Sequence, residues 1–207
     1  MSTVEESLAV AQPKTIEVNR TTRETTIRLL LDLSENGPQI AELGLPFFEH
    51  MLHAMAFHGG FRLEIRGSGD IAVDAHHLVE DVGLVLGEAF HRVLAELGPV
   101  RRYGHSVIPM DDALSEAVID VCERPFLAYS ATFPQDFSGT FQMALLREFF
   151  LAFSNRAQIN LHLNCRYGYN SHHMAESLFK AFGRALAAAY APGTGASPGA
   201  MSTKGVL

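Results

Sequence analysis

One short motif occurs twice in this chain and constrains its fold more than any other feature. The run His76-His77-x-x-Glu80 returns as His172-His173-x-x-Glu176. From residue 76 to residue 172 the offset is 96 positions, and it is the same for all three matching residues. A chemical pattern repeated at this distance is expected to belong to two copies of one structural unit.

The segments around the two motifs also correspond. Each motif begins a long amphipathic segment, 76–97 or 172–190, that ends at a Gly-Pro or Pro-Gly pair and is predicted to be helical. Aromatic-rich segments predict shorter helices at 46–57 and 141–153. Alternating or apolar segments predict strands at 15–19, 25–33, 61–66, 105–110, 114–121, 127–133 and 158–163. The order β-β-α-β-α, present twice, predicts an α+β fold with two antiparallel-leaning sheets, each covered by helices on one face.

This repeat divides the chain into four segments. Residues 1–13 are polar and are expected to form a flexible N-terminal tail. Residues 14–101 form the first half and residues 102–191 the second. Residues 192–207 are rich in Gly, Ala, Ser and Pro, so we expect this C-terminal tail to order only around a ligand.

Composition excludes several classes of function. The formal charge of −7, without basic aromatic stripes, argues against nucleic acid as a partner. No apolar run reaches the roughly 18–20 residues needed to span a bilayer, and the first residues lack the features of a signal peptide. Cys122 and Cys165 are too few for a disulfide framework, so we expect thiols in a reducing cytoplasm.

A His-His-x-x-Glu sequence on a helix predicts metal ligands. Successive side chains lie about 100° apart, so the two imidazoles diverge while the glutamate shares a face with both. Two such motifs predict two metal sites with ligands from both helices, and this donor set favours Mn, Fe, Co or Zn over Mg or Ca. A single His-His pair on a helix usually has no function and is exposed to solvent or lies at the edge of the core. Two copies with matching glutamates favour metal binding.

Further candidate site residues lie outside the motifs. On the shorter helices, His50 and Glu148 are additional candidate ligands, although a lone histidine on an apolar face is more often a core residue. Five residues near turns or helices could hold an anion, although each taken singly is more often an ordinary surface group: Arg102, Arg124, Lys180, Ser202 and Lys204.

Together these residues carry a resemblance to the imidazoleglycerol-phosphate dehydratase family. It rests on Arg20-Thr21-Thr22-Arg23-Glu24-Thr25, Phe48-Glu49-His50-Met51-Leu52, His58-Gly59-Gly60-Phe61, the two His-His-x-x-Glu motifs, Pro109-Met110-Asp111, Arg124-Pro125, Phe179-Lys180-Ala181-Phe182 and Ser202-Thr203-Lys204-Gly205. The match runs from about residue 20 to residue 207 in the family's order.

The resemblance implies a fold, an assembly and a site. The fold would be a pseudo-symmetric duplication of the ribosomal protein S5 domain 2-like type, and trimers would pack into 24-subunit shells with two Mn²⁺ ions per active site at subunit interfaces. One metal site would take His50, His77, Glu80 and His173. The other would take His76, His172, Glu176 and the residue at 148. The substrate's phosphate would contact Arg102, Arg124, Lys180, Ser202 and Lys204, and Glu24 would contact the substrate.

This chain departs from the family's pattern at two places. The family usually has His at the position of Glu148, and a carboxylate there is a harder ligand that alters metal preference or affinity. After Leu52, the pair His53-Ala54 stands where many members have Asp and Gln, so substrate contacts near that point are expected to differ.

The implied reaction is dehydration of D-erythro-imidazole-glycerol 3-phosphate to imidazole-acetol phosphate in histidine biosynthesis, through a metal-bound imidazolate. Glu24 and Glu176 are the candidates for the proton transfers, and sequence does not divide the roles between them. Two alternatives stay open: another Mn- or Zn-dependent enzyme, such as a metallohydrolase, acting on a small phosphorylated substrate, and a non-enzymatic metal-storage or shell protein.

Overall fold

The computed structural model of the chain describes residues 15–34 and 36–193. The predicted N-terminal tail, and Ser202 and Lys204 in the C-terminal tail, lie outside the described residues. Within the part described, the elements follow the repeat predicted from sequence.

The first half contains one four-stranded sheet and two helices. Its elements are β1 (Ile16–Thr21), β2 (Thr25–Asp32), β3 (Gln39–Glu42), α1 (Pro46–Gly59), β4 (Arg62–Gly69) and α2 (His76–Leu97). The strand order is β1-β2-β4-β3. β1, β2 and β4 are antiparallel neighbours, whereas β3 lies parallel to β4 at the edge.

The second half repeats this arrangement with one addition. Its elements are β5 (Tyr103–Met110), β6 (Ala113–Val121), β7 (Phe126–Ser130), β8 (Phe137–Ser138), β9 (Phe141–Gln142), α3 (Leu145–Ala157), β10 (Ile159–Tyr167) and α4 (Ser171–Tyr190). The sheet order β5-β6-β10-β7 matches that of the first half, and β8 and β9 form a separate hairpin. The predicted α+β duplication is therefore confirmed.

Two details of the predicted element order are wrong. Apart from the β8–β9 hairpin, each half has the order β-β-β-α-β-α, with one strand more than predicted. In the first half the additional strand is β3. Its four residues are all partly exposed, so they carry no alternating hydrophobic signal of a buried strand. Phe141 was expected to begin a helix, but it lies in β9, and α3 begins at Leu145.

In the described region, the four helices lie between the two four-stranded sheets. α2 packs on β1 and β2, and α4 packs on β5 and β6. Each of these long helices also packs on the shorter helix of the other half, so that α2 contacts α3 and α4 contacts α1. The alternating strands bury one side against this helical layer, as the pattern of β2 illustrates. The two halves thus share one hydrophobic core, in which the helices of each half pack on those of the other.

Glycines at equivalent positions allow the helices to approach closely. Gly87 on α2 and Gly183 on α4 are separated by the same 96 residues as the motifs. A Cβ atom on Gly183 would lie 2.0 Å from the backbone oxygen of Met55 in α1, and one on Gly87 would lie 2.7 Å from that of Phe153 in α3. Any larger residue would therefore force the helix pairs apart.

None of the helices in the described region is long and apolar enough to cross a membrane.

Candidate metal centre and active site

Helices α1 and α4 bring three metal-ligating side chains together. The Nε2 atom of His50 lies 3.2 Å from Glu176 Oε2, and His172 Nε2 lies 3.1 Å from the same oxygen. The three donor atoms all lie within 4.8 Å of one another. His172 and Glu176 share a face of α4 because they are four residues apart, and His50 reaches them because α1 packs along α4. Two imidazole nitrogens and a carboxylate oxygen suit a divalent transition metal.

Glu176 is ionised although it is largely buried. Burial alone would raise the pKa of its carboxyl, but the hydrogen bond from Lys180 and the contact with His50 outweigh burial and hold that pKa below its usual value. Lys180 Nζ lies 2.8 Å from Oε1, which leaves Oε2 to face the two histidines. The carboxylate is therefore charged and its free oxygen points at the site where a cation would bind.

The second histidine of this motif is held by a different carboxylate. His173 Nδ1 lies 2.6 Å from Asp112 Oδ1, while the backbone N–H groups of Tyr169 and Asn170 donate to Asp112 Oδ2. The bonds from Tyr169 and His173 lower the pKa of Asp112 to about 2. Asn170 caps α4 by accepting from the backbone N–H groups of His172 and His173.

The first-half motif has a related but more open arrangement. His76 Nε2 lies 3.3 Å from Glu80 Oε2, and His77 Nδ1 lies 3.1 Å from both oxygens of Asp70. The hydrogen bond with Asp70 raises the pKa of His77 above its usual value. Glu24 approaches the same ring, with Oε2 at 3.9 Å from Nδ1.

Adjacent histidines point in different directions in both copies. The rings of His76 and His77 are inclined by 87°, and those of His172 and His173 by 89°. Within one chain, His50 lies with His172 and Glu176, and not with His77, Glu80 and His173 as the resemblance grouped it. Because the resemblance places each metal at a subunit interface, the two implied ligand sets stay predictions.

Glu148 occupies the place in the second half that His50 occupies in the first. α3 packs on α2 as α1 packs on α4. The Glu148 carboxylate lies 3.3 Å from Arg147 Nη1 and is not part of the three-residue group around Glu176.

The predicted anion-binding residues that the structure describes lie at two separate places in the fold. Lys180 contacts Glu176. Arg102 donates its backbone N–H to Ala189 near the far end of α4, and its guanidinium pairs with Asp120 of β6 at 2.6 Å. Arg124 follows the end of β6 and lies at the same end of that sheet. Ala189 is 13 residues beyond Glu176, which is about 20 Å along a helix. One chain therefore separates the two arginines from the candidate metal ligands.

The chain is similar to known proteins over most of its length. The family model described as imidazoleglycerol-phosphate dehydratase matches residues 43–186. The chain belongs to this family. Among curated members, the imidazoleglycerol-phosphate dehydratase of Acidithiobacillus ferrooxidans is 46% identical over 195 residues, covering 94% of this chain and 98% of that protein. The Gluconobacter oxydans protein of the same name is also 46% identical, covering 92% and 96%.

Solved structures of the family share the fold. The imidazoleglycerol-phosphate dehydratase of Staphylococcus aureus subsp. aureus N315 superposes with a TM-score of 0.78 at 33% identity, covering 86% of this chain and 99% of that one. The Pyrococcus furiosus IGPD, solved in complex with (S)-C348, superposes with a TM-score of 0.79 at 34% identity, covering 92% and 100%.

Two residues that contact the histidines of the motifs were not identified from the sequence. Asp70 and Asp112 hold the Nδ1 atoms of His77 and His173. Both stand in connections between predicted elements, where aspartate is common for reasons of turn geometry. The run Pro109-Met110-Asp111 pointed to the second place but stopped one residue short of Asp112.

Proposed function

We propose that the chain dehydrates D-erythro-imidazole-glycerol 3-phosphate to imidazole-acetol phosphate in histidine biosynthesis, as a carbon–oxygen lyase that uses bound Mn²⁺. The family assignment supports the reaction. The convergence of His50, His172 and Glu176 supports the metal, because three donor atoms within 4.8 Å form an incomplete coordination sphere. This convergence is the observation on which the proposal depends.

The residues present fit a divalent metal. The Oε2 atom of Glu176 faces the two imidazole nitrogens, while Lys180 occupies the other oxygen and keeps the carboxylate charged. We propose two metal ions per active site, held in all by eight side chains: His50, His76, His77, Glu80, Glu148, His172, His173 and Glu176. When bound, the ions supply Lewis acidity toward the substrate's imidazole ring.

The chain's own carboxylates would move the protons. The reaction removes the hydroxyl from the carbon attached to the ring and a hydrogen from the next carbon, so that water is lost and the resulting enol becomes a ketone. We assign the proton transfers to Glu24 and Glu176. Glu24 is half-exposed and lies beside His77, where it can reach a ligand of the first motif.

The positions of the candidate phosphate-binding arginines support a site shared between copies of the chain. Arg102 and Arg124 share one end of the second sheet, about 20 Å from Glu176 along α4. A substrate as small as this one cannot span that distance, so a second copy must bring its arginines to the metal ligands. We therefore propose a homo-oligomer, built from trimers that form a 24-subunit shell, in which Arg102, Arg124, Lys180, Ser202 and Lys204 bind the phosphate.

We place this enzyme in the cytoplasm. Cys122 and Cys165 are free thiols in the structure, and free thiols are typical of a reducing compartment.

Metal removal tests this function directly. The purified chain is stripped with a chelator, assayed for dehydration, and assayed again after Mn²⁺ is added, with the bound metal counted per chain. We expect activity to disappear and return, and about two ions to bind. In His50→Gln the metal content should fall, whereas His105→Gln, at an exposed position of β5, should retain both ions. A stripped protein with full activity would contradict the proposal.

A further inference from the structure

Both oxygens of the Asp112 carboxylate make short polar contacts. Its side chain is only 4% exposed. Oδ2 accepts the backbone N–H groups of Tyr169 at 2.7 Å and Asn170 at 3.0 Å, while Oδ1 contacts His173 Nδ1 at 2.6 Å. Asp112 therefore fixes both the loop that enters α4 and the ring of the histidine on that helix.

This contact determines which nitrogen of His173 carries the proton. An ionised carboxylate can only accept hydrogen bonds, so Nδ1 must be the donor. In the neutral ring the lone pair then lies on Nε2, the atom that can bind a metal. Nε2 faces only a loose contact in the described region, with the exposed Asp111 carboxylate at 3.7 Å.

We propose that Asp112 is a positioning residue that holds His173 in the Nδ1–H tautomer and so prepares Nε2 for the metal. This inference rests on the proposed role of His173 as a ligand. Carboxylates that hold the second nitrogen of a metal-binding histidine orient the ring and raise its basicity.

The equivalent contact in the first half is built differently. Asp70 lies 3.1 Å from His77 Nδ1 through both oxygens, and within the described residues its carboxylate accepts no backbone N–H. Asp70 is also more exposed than Asp112, at 29% against 4%. The two halves therefore share the histidine contact, but only Asp112 is prevented from rotating.

This difference makes asparagine a selective probe. In Asp112→Asn, the two backbone N–H groups need the single amide oxygen, so the amide nitrogen faces His173 and donates to Nδ1. The ring is then driven into the Nε2–H tautomer, which cannot bind a metal through that atom. In Asp70→Asn the amide is free to turn its oxygen toward His77, so the original tautomer persists.

The test compares these two variants with the wild-type full-length chain. Each protein is labelled with ¹⁵N-histidine and stripped of metal, and the His173 tautomer is determined by magic-angle-spinning NMR, with its signals assigned by their loss in His173→Gln. Mn²⁺ binding is measured by titration calorimetry. We expect Asp112→Asn to invert the His173 tautomer and to weaken one Mn²⁺ site about 10–100-fold, with Asp70→Asn changed by much less.

The outcomes separate this inference from the proposed function. An unchanged tautomer and unchanged Mn²⁺ affinity in Asp112→Asn would overturn the positioning role, even if the wild-type enzyme is metal-dependent. A wild-type chain that binds no Mn²⁺ would overturn the proposed function, while the tautomer could still invert. Thermal unfolding of Asp112→Asn checks the fold, because both backbone N–H groups keep an acceptor. If that variant nevertheless unfolds, the metal-free wild-type chain decides, because His173 in the Nε2–H tautomer there would overturn the positioning role and the Nδ1–H tautomer would support it.

Discussion

Glu176 and Glu24, both proposed for proton transfer, are placed in different environments. Glu176 is held on both oxygens, by Lys180 on one and by His50 and His172 on the other. Glu24 has a half-exposed side chain, and its contact with His77 is long, at 3.9 Å. We therefore expect Glu176 to hold a metal ion in addition to its proposed proton transfer, and Glu24 to take part in proton transfer without holding a metal.

Paired substitutions at these two glutamates should therefore give different results. Glu24→Gln is expected to keep the fold and the metal content but to lower kcat by about 10²–10⁴-fold, because amides cannot exchange the proton. Glu176→Gln is expected to lose metal as well as activity. The measurements are metal counting and steady-state kinetics on both variants. Turnover near the wild-type rate in Glu24→Gln would remove Glu24 from the chemistry.

At the scale of the elements, the candidate metal centre depends on how closely α1 and α4 pack. His50 belongs to α1 and Glu176 to α4, and the crossing at Gly183 fixes the distance between these helices. The contact at Gly183 is with backbone atoms of Met55, and these cannot move aside as the end of a flexible side chain could. Local helix propensity favours alanine over glycine, but here the steric effect is larger.

Gly183→Ala should consequently destabilise the chain although alanine is the better helix former. We expect a loss of about 2–3 kcal/mol in the free energy of unfolding, measured by chemical denaturation, together with weaker metal binding as His50 moves away from Glu176. Arg184→Ala is the matched control, because the neighbouring side chain is exposed and should change stability by less than about 0.5 kcal/mol. Equal stability of the two variants would show that the helices do not approach this closely.

At the scale of the whole molecule, contacts between the halves determine its stability. Glu88 on α2 accepts a hydrogen bond from Arg92 at 2.6 Å and pairs at 2.6 Å with Arg156 on α3, which belongs to the other half. Burial alone would raise the pKa of Glu88, but the Arg92 hydrogen bond and the charge of Arg156 outweigh it and lower that pKa. Because the folded-state pKa is depressed, this carboxylate stabilises the fold above its ordinary pKa of 4.5, and the contribution is lost as the pH falls through the folded value.

Glu88→Gln should accordingly cost stability at neutral pH and little in acid. We expect a loss of about 1–2 kcal/mol at pH 7, since water screens the half-exposed guanidinium groups. The difference from wild type should shrink as the pH falls below 4.5. Urea denaturation across this pH range measures it, with Glu17→Gln, in an exposed pair with Arg28, as the control. A difference that is independent of pH would exclude a charged interaction.

The proposed sharing of the active site between copies gives a second prediction for the whole molecule. Arg124→Ala and Glu176→Gln chains should each be inactive, since one lacks a phosphate contact and the other a metal ligand. If each site takes its arginine and its glutamate from different copies, random co-assembly restores both at about one quarter of the sites. Co-expressed chains with separable tags are purified together and assayed. Folded mixed oligomers without recovered activity would indicate that both residues act from a single chain.

The sequence by itself determined the duplication, the α+β class and most of the elements. The identical offset of the motifs predicted two equivalent halves, and the helices at 76–97 and 172–190 were predicted nearly to the residue. Helical periodicity also predicted that adjacent histidines diverge. These features depend on residues near one another in the chain, so they can be read from local spacing. The edge strand β3 was missed because pairing with β4 specifies it, and its own residues are only partly buried.

Only the tertiary structure decided which side chains meet. His50 and Glu176 are 126 residues apart, and they come together because each long helix packs on the shorter helix of the other half. Asp112 reaches His173 across 61 residues, and Arg102 is carried to the far end of α4 by the path of the sheet. Such contacts follow from shape complementarity between whole elements, because close packing at Gly87 and Gly183 selects one arrangement of helices among the many that the same hydrophobic pattern permits.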